Sequence, residues 1–138
     1  MKTRFELIAH AEGFSSLEQF RSENSGAEVI FNGIVRTPNK GKEVRCLEFE
    51  AYPELFQNEM QAISDRLSDH FQIDAILLLH RIGKVYPGEI AVIAAVYSAH
   101  RKDAFQACEM LMNELKATVP IWKKEFNSDG SFWVSQTP

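Results

Sequence analysis

Apolar and polar positions change period several times along the chain, and each change marks an element. "TRFELIA" (Thr3 to Ala9) alternates at period two, as a half-buried strand does. "SSLEQF" carries a capping-box pattern, with Ser15 or Ser16 three residues ahead of Glu18 or Gln19, and predicts a short helix that Asn24-Ser25-Gly26 ends. "AEVIFNGIV" (Ala27 to Val35) is rich in strand formers, and a second strand, "VRCLEFEAY", follows the polar loop "RTPNKGKE". Pro53 then opens a helix whose Phe56, Met60, Ile63 and Leu67 fall on one stripe that packs on a sheet. "IDAILLLH" and "GEIAVIAAVYSA" bracket the turn "RIGKVYPG" and read as two buried strands of a long hairpin.

Helical period returns from about Asp103 to Lys116, with Phe105, Cys108, Met112 and Leu115 assigned to the buried face. Pro120 prevents its continuation. "IWKKEFNSDGSFWV" reads as a hairpin closed by Asn127-Ser128-Asp129-Gly130. The sum is an α+β fold of about seven strands and about three helices, the helices segregated from a mainly antiparallel sheet. No repeat or Pro/Gly-rich linker divides it, so a single domain over residues 1–138 is expected.

A chain of 138 residues can bury a core without staples, and 45% apolar with 25% charged residues is ordinary for a globular protein. The net charge of -4 argues against a nucleic-acid or membrane-surface protein, so any cationic site must be local and suited to a small anion or an acidic partner. No apolar run is long enough to span a bilayer and "MKTRFELIAH" lacks a signal-peptide core, which makes a cytoplasmic location the expectation. Cys46 and Cys108 belong to no metal-binding or redox spacing and read as small buried apolar residues. No metal or other cofactor is expected.

Within "LKATVPIWKKE" three lysines surround a Pro-Ile-Trp turn. Lys116 follows the core residue Leu115 and neighbours Met112 one turn back, so it emerges at the margin of the apolar face. Two readings stand for it: an ammonium complementing the helix C-terminus, or an amine whose pKa partial burial depresses into a useful range. "SAHRKD" offers His100 and Arg101 where a buried strand feeds a helix N-terminus, either an anion site with a proton-transferring group or a solvated helix start. His80, Arg81 and Arg36 also stand at strand ends.

Taken together, "FNGIVR" (Phe31 to Arg36), "HRIGKVYPGE" (His80 to Glu89), "SAHR" (Ser98 to Arg101), Leu115-Lys116 and "PIWKKE" (Pro120 to Glu125) resemble, in order and spacing, the signature blocks of the large, catalytic subunit of molybdopterin synthase. The resemblance runs from about Gly26 to Val134. It implies an α/β-hammerhead type of fold and an enzyme that converts cyclic pyranopterin monophosphate to molybdopterin. The sulfur would come from the thiocarboxylated C-terminal glycine of a small ubiquitin-like partner, and two large subunits would form a central dimer within a heterotetramer. By motif, Lys116 and Lys123 resemble the catalytic lysines, with Lys116 favoured for direct acid/base work or transient covalent contact. Arg36, His100 and Arg101 resemble anion-binding and proton-handling residues, with His100 and Arg101 serving across the dimer, and Phe31 and Met112 resemble pocket walls.

The chain departs from its relatives at Ala51, where "EHY" is common in the family and Glu50-Ala51-Tyr52 stands here. Two further classes fit the basic residues alone: a dimeric module that binds phosphate or acidic peptide without chemistry, and a phosphohydrolase using His100 and Lys116. The loop Thr37 to Glu43 is expected to be mobile until substrate or partner binds.

Overall fold

The computed structural model describes residues 1–14 and 17–134, so the capping serines expected at Ser15 and Ser16 lie outside the described residues. Among the described residues eight strands, β1 (Lys2–Ile8), β2 (Ala27–Ile34), β3 (Val44–Ala51), β4 (Ala75–Arg81), β5 (Gly83–Val85), β6 (Ile90–Ser98), β7 (Ile121–Asn127) and β8 (Gly130–Val134), accompany two α-helices, α1 (Pro53–His70) and α2 (Arg101–Thr118). The short helix expected near the N-terminus is replaced by two single 3₁₀ turns, Ala11–Phe14 and Leu17–Phe20.

The strands form two sheets, in the orders β1-β4-β6-β2 and β5-β3-β7-β8. Only β1 and β4 run parallel among the described pairs. The expected hairpin is present, with Ala75 to His80 of β4 antiparallel to Val92 to Tyr97 of β6. Its connection does more than turn: Gly83, at φ +82, swings β5 out of the first sheet to pair with β3 in the second. Glycine suits that bend because a Cβ penalises positive φ. Strands β2 and β3, consecutive in sequence, likewise part company into different sheets.

Helix α1 starts at Pro53, whose ring holds the preceding Tyr52 extended (φ -89, ψ 120) and whose missing N–H is no loss in a first turn. Phe56, Met60, Ile63 and Leu67 are all fully buried, as the four-three-four spacing predicts. Helix α2 departs from expectation. Its buried face is Ala104, Ala107, Cys108, Leu111 and Leu115, whereas Phe105 is 61% exposed. The two fully buried alanines let α2 approach its neighbours closely, and a phenylalanine on that face would hold it off. The main core lies between the helices and one face of the first sheet, where Ile76 and Leu78 of β4 meet Ala94 and Val96 of β6. The opposite face, with Leu77, Leu79, Ile93 and Tyr97, is covered by Phe14, Leu17 and Phe20 of the N-terminal turns.

Candidate active site

Where the two sheets diverge they leave a cavity of about 480 Å³. One wall is the end of the first sheet, with Gly33, His80 and Val92; the second is the last turns of α2, with Met112, Leu115 and Lys116; the third is the inner face of the second sheet, with Phe49, Lys123 and Glu125. Gly33 lets the Val92 and Phe31 side chains close over its backbone, since a Cβ there would lie 2.6 Å from Val92 Cγ1.

Strand period decides which lysines enter. Phe49 faces Lys123 and Leu47 faces Glu125 across the β3–β7 ladder, and all four line the cavity. Lys124, one residue on, projects from the other face, where its Nζ stands 5.6 Å from the Phe126 ring centre and 5.4 Å from that of Trp133. Lys116 arrives from α2. Two ammonium groups from separate elements therefore share one hollow.

Burial falls on Lys123 rather than on Lys116, which corrects the emphasis drawn from helix spacing. Lys116 is exposed, and Lys123 is partly buried. The Lys123 amine is pushed below the ordinary lysine range first by desolvation and further by the Lys116 charge, with Glu125 opposing. Glu125 is itself buried and accepts hydrogen bonds from the Asn39 and Asn127 side-chain amides, each at 2.9 Å. Neither Glu125 nor His80 received a role from the sequence, although both fall within the family-like blocks. What would have found them is the fold itself, because their importance lies in which way a strand residue faces.

Arg36, Phe31 and Met112 line the cavity as expected. His100 and Arg101 do not. They sit at the N-cap and first residue of α2, both exposed, while Lys116 lies near its far end, about 22 Å along the helix axis at about 1.5 Å per residue. Within the loop Thr37 to Glu43, Asn39 and Lys42 exchange backbone hydrogen bonds at 2.8 and 2.9 Å, Asn39 reaches Glu125, and Lys42 pairs with Asp129 at 2.7 Å. Ala51 lines a different hollow, beside Tyr52, Trp122 and Trp133 on the second sheet. Cys46 and Cys108 are buried, and desolvation raises both thiols, so neither presents a ready thiolate. Among the described residues no helix is long and apolar enough to cross a membrane.

A partly desolvated amine, a second ammonium, a fixed carboxylate and a neighbouring guanidinium share one hollow of an α+β fold, a set of groups that can hold an anion and move protons beside it. The MoaE protein family matches residues 7–118. Two proteins named molybdopterin synthase catalytic subunit are similar in sequence. That of Pyrococcus abyssi is 38% identical, covering 96% of this chain and 92% of its own length, and that of Staphylococcus aureus strain Mu50 is 41% identical, covering 94% and 88%. The crystal structure of molybdopterin synthase from Staphylococcus aureus superposes with a TM-score of 0.82 at 37% identity, over 96% of this chain and 95% of that one. A chain from the complex of subunits 1 and 2 of the molybdopterin-converting factor of Helicobacter pylori shares the fold, with a TM-score of 0.73 at 21% identity over 96% of this chain and 88% of that one. The chain belongs to the MoaE family, and its role is that of an enzyme in molybdopterin synthesis.

Proposed function

We propose that the protein transfers sulfur from the thiocarboxylated C-terminal glycine of a small ubiquitin-like subunit to cyclic pyranopterin monophosphate, building the dithiolene of molybdopterin. The observation that carries this reading is the convergence of Lys116 and Lys123 on one cavity. A thiocarboxylate is an anion that two ammonium groups can hold, and the buried thiols of Cys46 and Cys108 leave sulfur delivery to a partner. The pairing of subunits in the Helicobacter pylori complex supports such a partner.

Lys123, with its amine displaced toward neutrality, serves as the proton-transfer group. Lys116 holds the anionic tail and balances charge as sulfur leaves. Arg36 takes the phosphate at the cavity edge, while Phe31 and Met112 form apolar walls. His100 and Arg101 lie too far along α2 to reach the same cavity, so they serve the site of a second copy in a dimer. Each transfer leaves the tail as a carboxylate once water has replaced sulfur on its acyl carbon.

The test mixes the purified protein, the thiocarboxylated partner and the cyclic pterin and follows dithiolene by mass spectrometry. Product that depends on all three is the expected result. A binding module would take up pterin and partner and yield none.

A further inference from the structure

His80 is the penultimate residue of the buried strand β4, on the same face as Ile76 and Leu78, which pack against the helices. In the sheet register Leu7, His80, Val92 and Gly33 form one row across β1, β4, β6 and β2, and the last three of these line the cavity. The imidazole is held on two sides. Its Nδ1 lies 2.7 Å from the Arg81 carbonyl oxygen, and its ring meets Phe49 edge-on with centres 5.0 Å apart. Phe49 in turn stands opposite Lys123 in the β3–β7 ladder.

A carbonyl only accepts, so Nδ1 carries the hydrogen and Nε2 presents a lone pair. Among the described residues Nε2 has no hydrogen-bond partner, yet it is not one of the side-chain atoms sealed completely from solvent. His80 as a whole is only 7% exposed. Burial, with the Lys123 charge adding to it, pushes its pKa down to about 4, so the ring stays neutral near neutral pH. The cavity thus holds in His80 a fixed, neutral acceptor together with two ammonium groups, and an unfilled acceptor this deep favours a ligand that brings a donor.

We propose that His80 is a tail-binding residue whose Nε2 accepts the amide N–H of the terminal glycine of the incoming thiocarboxylated subunit. The assignment rests on the sulfur-transfer reading above. The lysines call for an anion and His80 calls for an N–H close to it, and a terminal glycine carries both, separated by one carbon.

The test uses whole partner subunits, prepared by ligation, that end either in glycine or in glycolate. Glycolate replaces the amide N–H with an ester oxygen and changes little else. Kd is measured for the carboxylate forms by calorimetry, and single-turnover transfer for the thiocarboxylate forms. Wild-type protein should bind the glycine-ended partner about tenfold more tightly than the glycolate-ended one, the worth of about one hydrogen bond. His80→Asn can still donate to the Arg81 carbonyl but has no atom at the Nε2 position, and it should bring the ratio close to one. His80→Gln reaches that position and should restore most of the preference. An unchanged ratio in a folded His80→Asn protein that still makes dithiolene overturns the assignment alone, as does an unchanged ratio accompanied by lost pterin affinity. Absence of product from wild-type protein with the glycine-ended partner overturns the sulfur-transfer reading and this assignment together.

Discussion

Strand β7 has two faces with opposite characters. On the inner face Lys123 shares a cavity with His80, Glu125 and Lys116, and loss of solvent drives its amine toward neutrality. On the outer face Lys124 lies over the rings of Phe126 and Trp133, and Tyr52 packs edge-on against Trp122 with centres 5.4 Å apart. The two lysines are neighbours in sequence and identical in chemistry. Backbone pleating alone separates them, placing one where water is scarce and the other on an aromatic surface. A run of like charges on a strand is therefore two sites, and only the side with low dielectric and converging elements is equipped for chemistry.

The sharpest way to break this comparison is to truncate each lysine in turn. Lys123→Ala should lower single-turnover dithiolene formation by about 10³-fold, and Lys116→Ala should do likewise, in line with loss of a charge-stabilising or proton-transferring group. Lys124→Ala should change it by less than about threefold, since surface substitutions away from a site do little. All three proteins should melt within a few degrees of wild type. Equal losses at Lys123 and Lys124 would show that the faces are not functionally distinct.

Parts of this contrast are legible in the sequence. Helix α1 could be read because its large apolar residues are also its buried ones. Helix α2 hides its phase, because Ala104 and Ala107 make the contact while its largest residue, Phe105, faces solvent. Strand β5 escaped notice because three residues carry almost no periodicity, and its transfer to the second sheet depends on the backbone at Gly83. The cavity residues Lys116, Lys123, Arg36 and Phe31 are visible within the family-like blocks, and Met112 by its place one helical turn before Lys116. The burial of Lys123 in place of Lys116, and the inward face of His80, depend on which sheets enclose them, and that pairing is non-local. His100 and Arg101 stood beside the other basic blocks only in the linear chain, since a helix of 18 residues keeps them apart in one protomer.

His80 offers a smaller effect that reads the dryness of the inner face directly. Its folded pKa of about 4 lies below the ordinary 6.5, with burial the main cause, the Lys123 charge adding and the bond to the Arg81 carbonyl opposing. Below pH 6.5 the unfolded chain takes up a proton that the folded chain refuses, so stability falls as pH drops and the loss is complete near pH 4. The full term is about 3 kcal/mol. His80→Gln removes it, so its guanidinium unfolding free energy should decline less than that of wild type between pH 7 and pH 4.5. Parallel declines for the two proteins would mean that His80 is hydrated in the folded state.

The outer face should yield the least. Trp133 is 56% exposed at the edge strand β8, and Lys124 draws on its ring in water. Trp133→Ala should lower stability by about 0.5–1 kcal/mol, the usual worth of an exposed cation–π contact, and Trp133→Phe by less. Raising salt should weaken the wild-type contact modestly, because solvent already screens the ammonium. Dithiolene formation in Trp133→Ala should stay within about twofold of wild type, as the tryptophan lines only the outer hollow. A larger fall in turnover, with the pterin affinity intact, would mean that this aromatic surface takes part in seating the small subunit, and that the two faces of β7 work on the same partner.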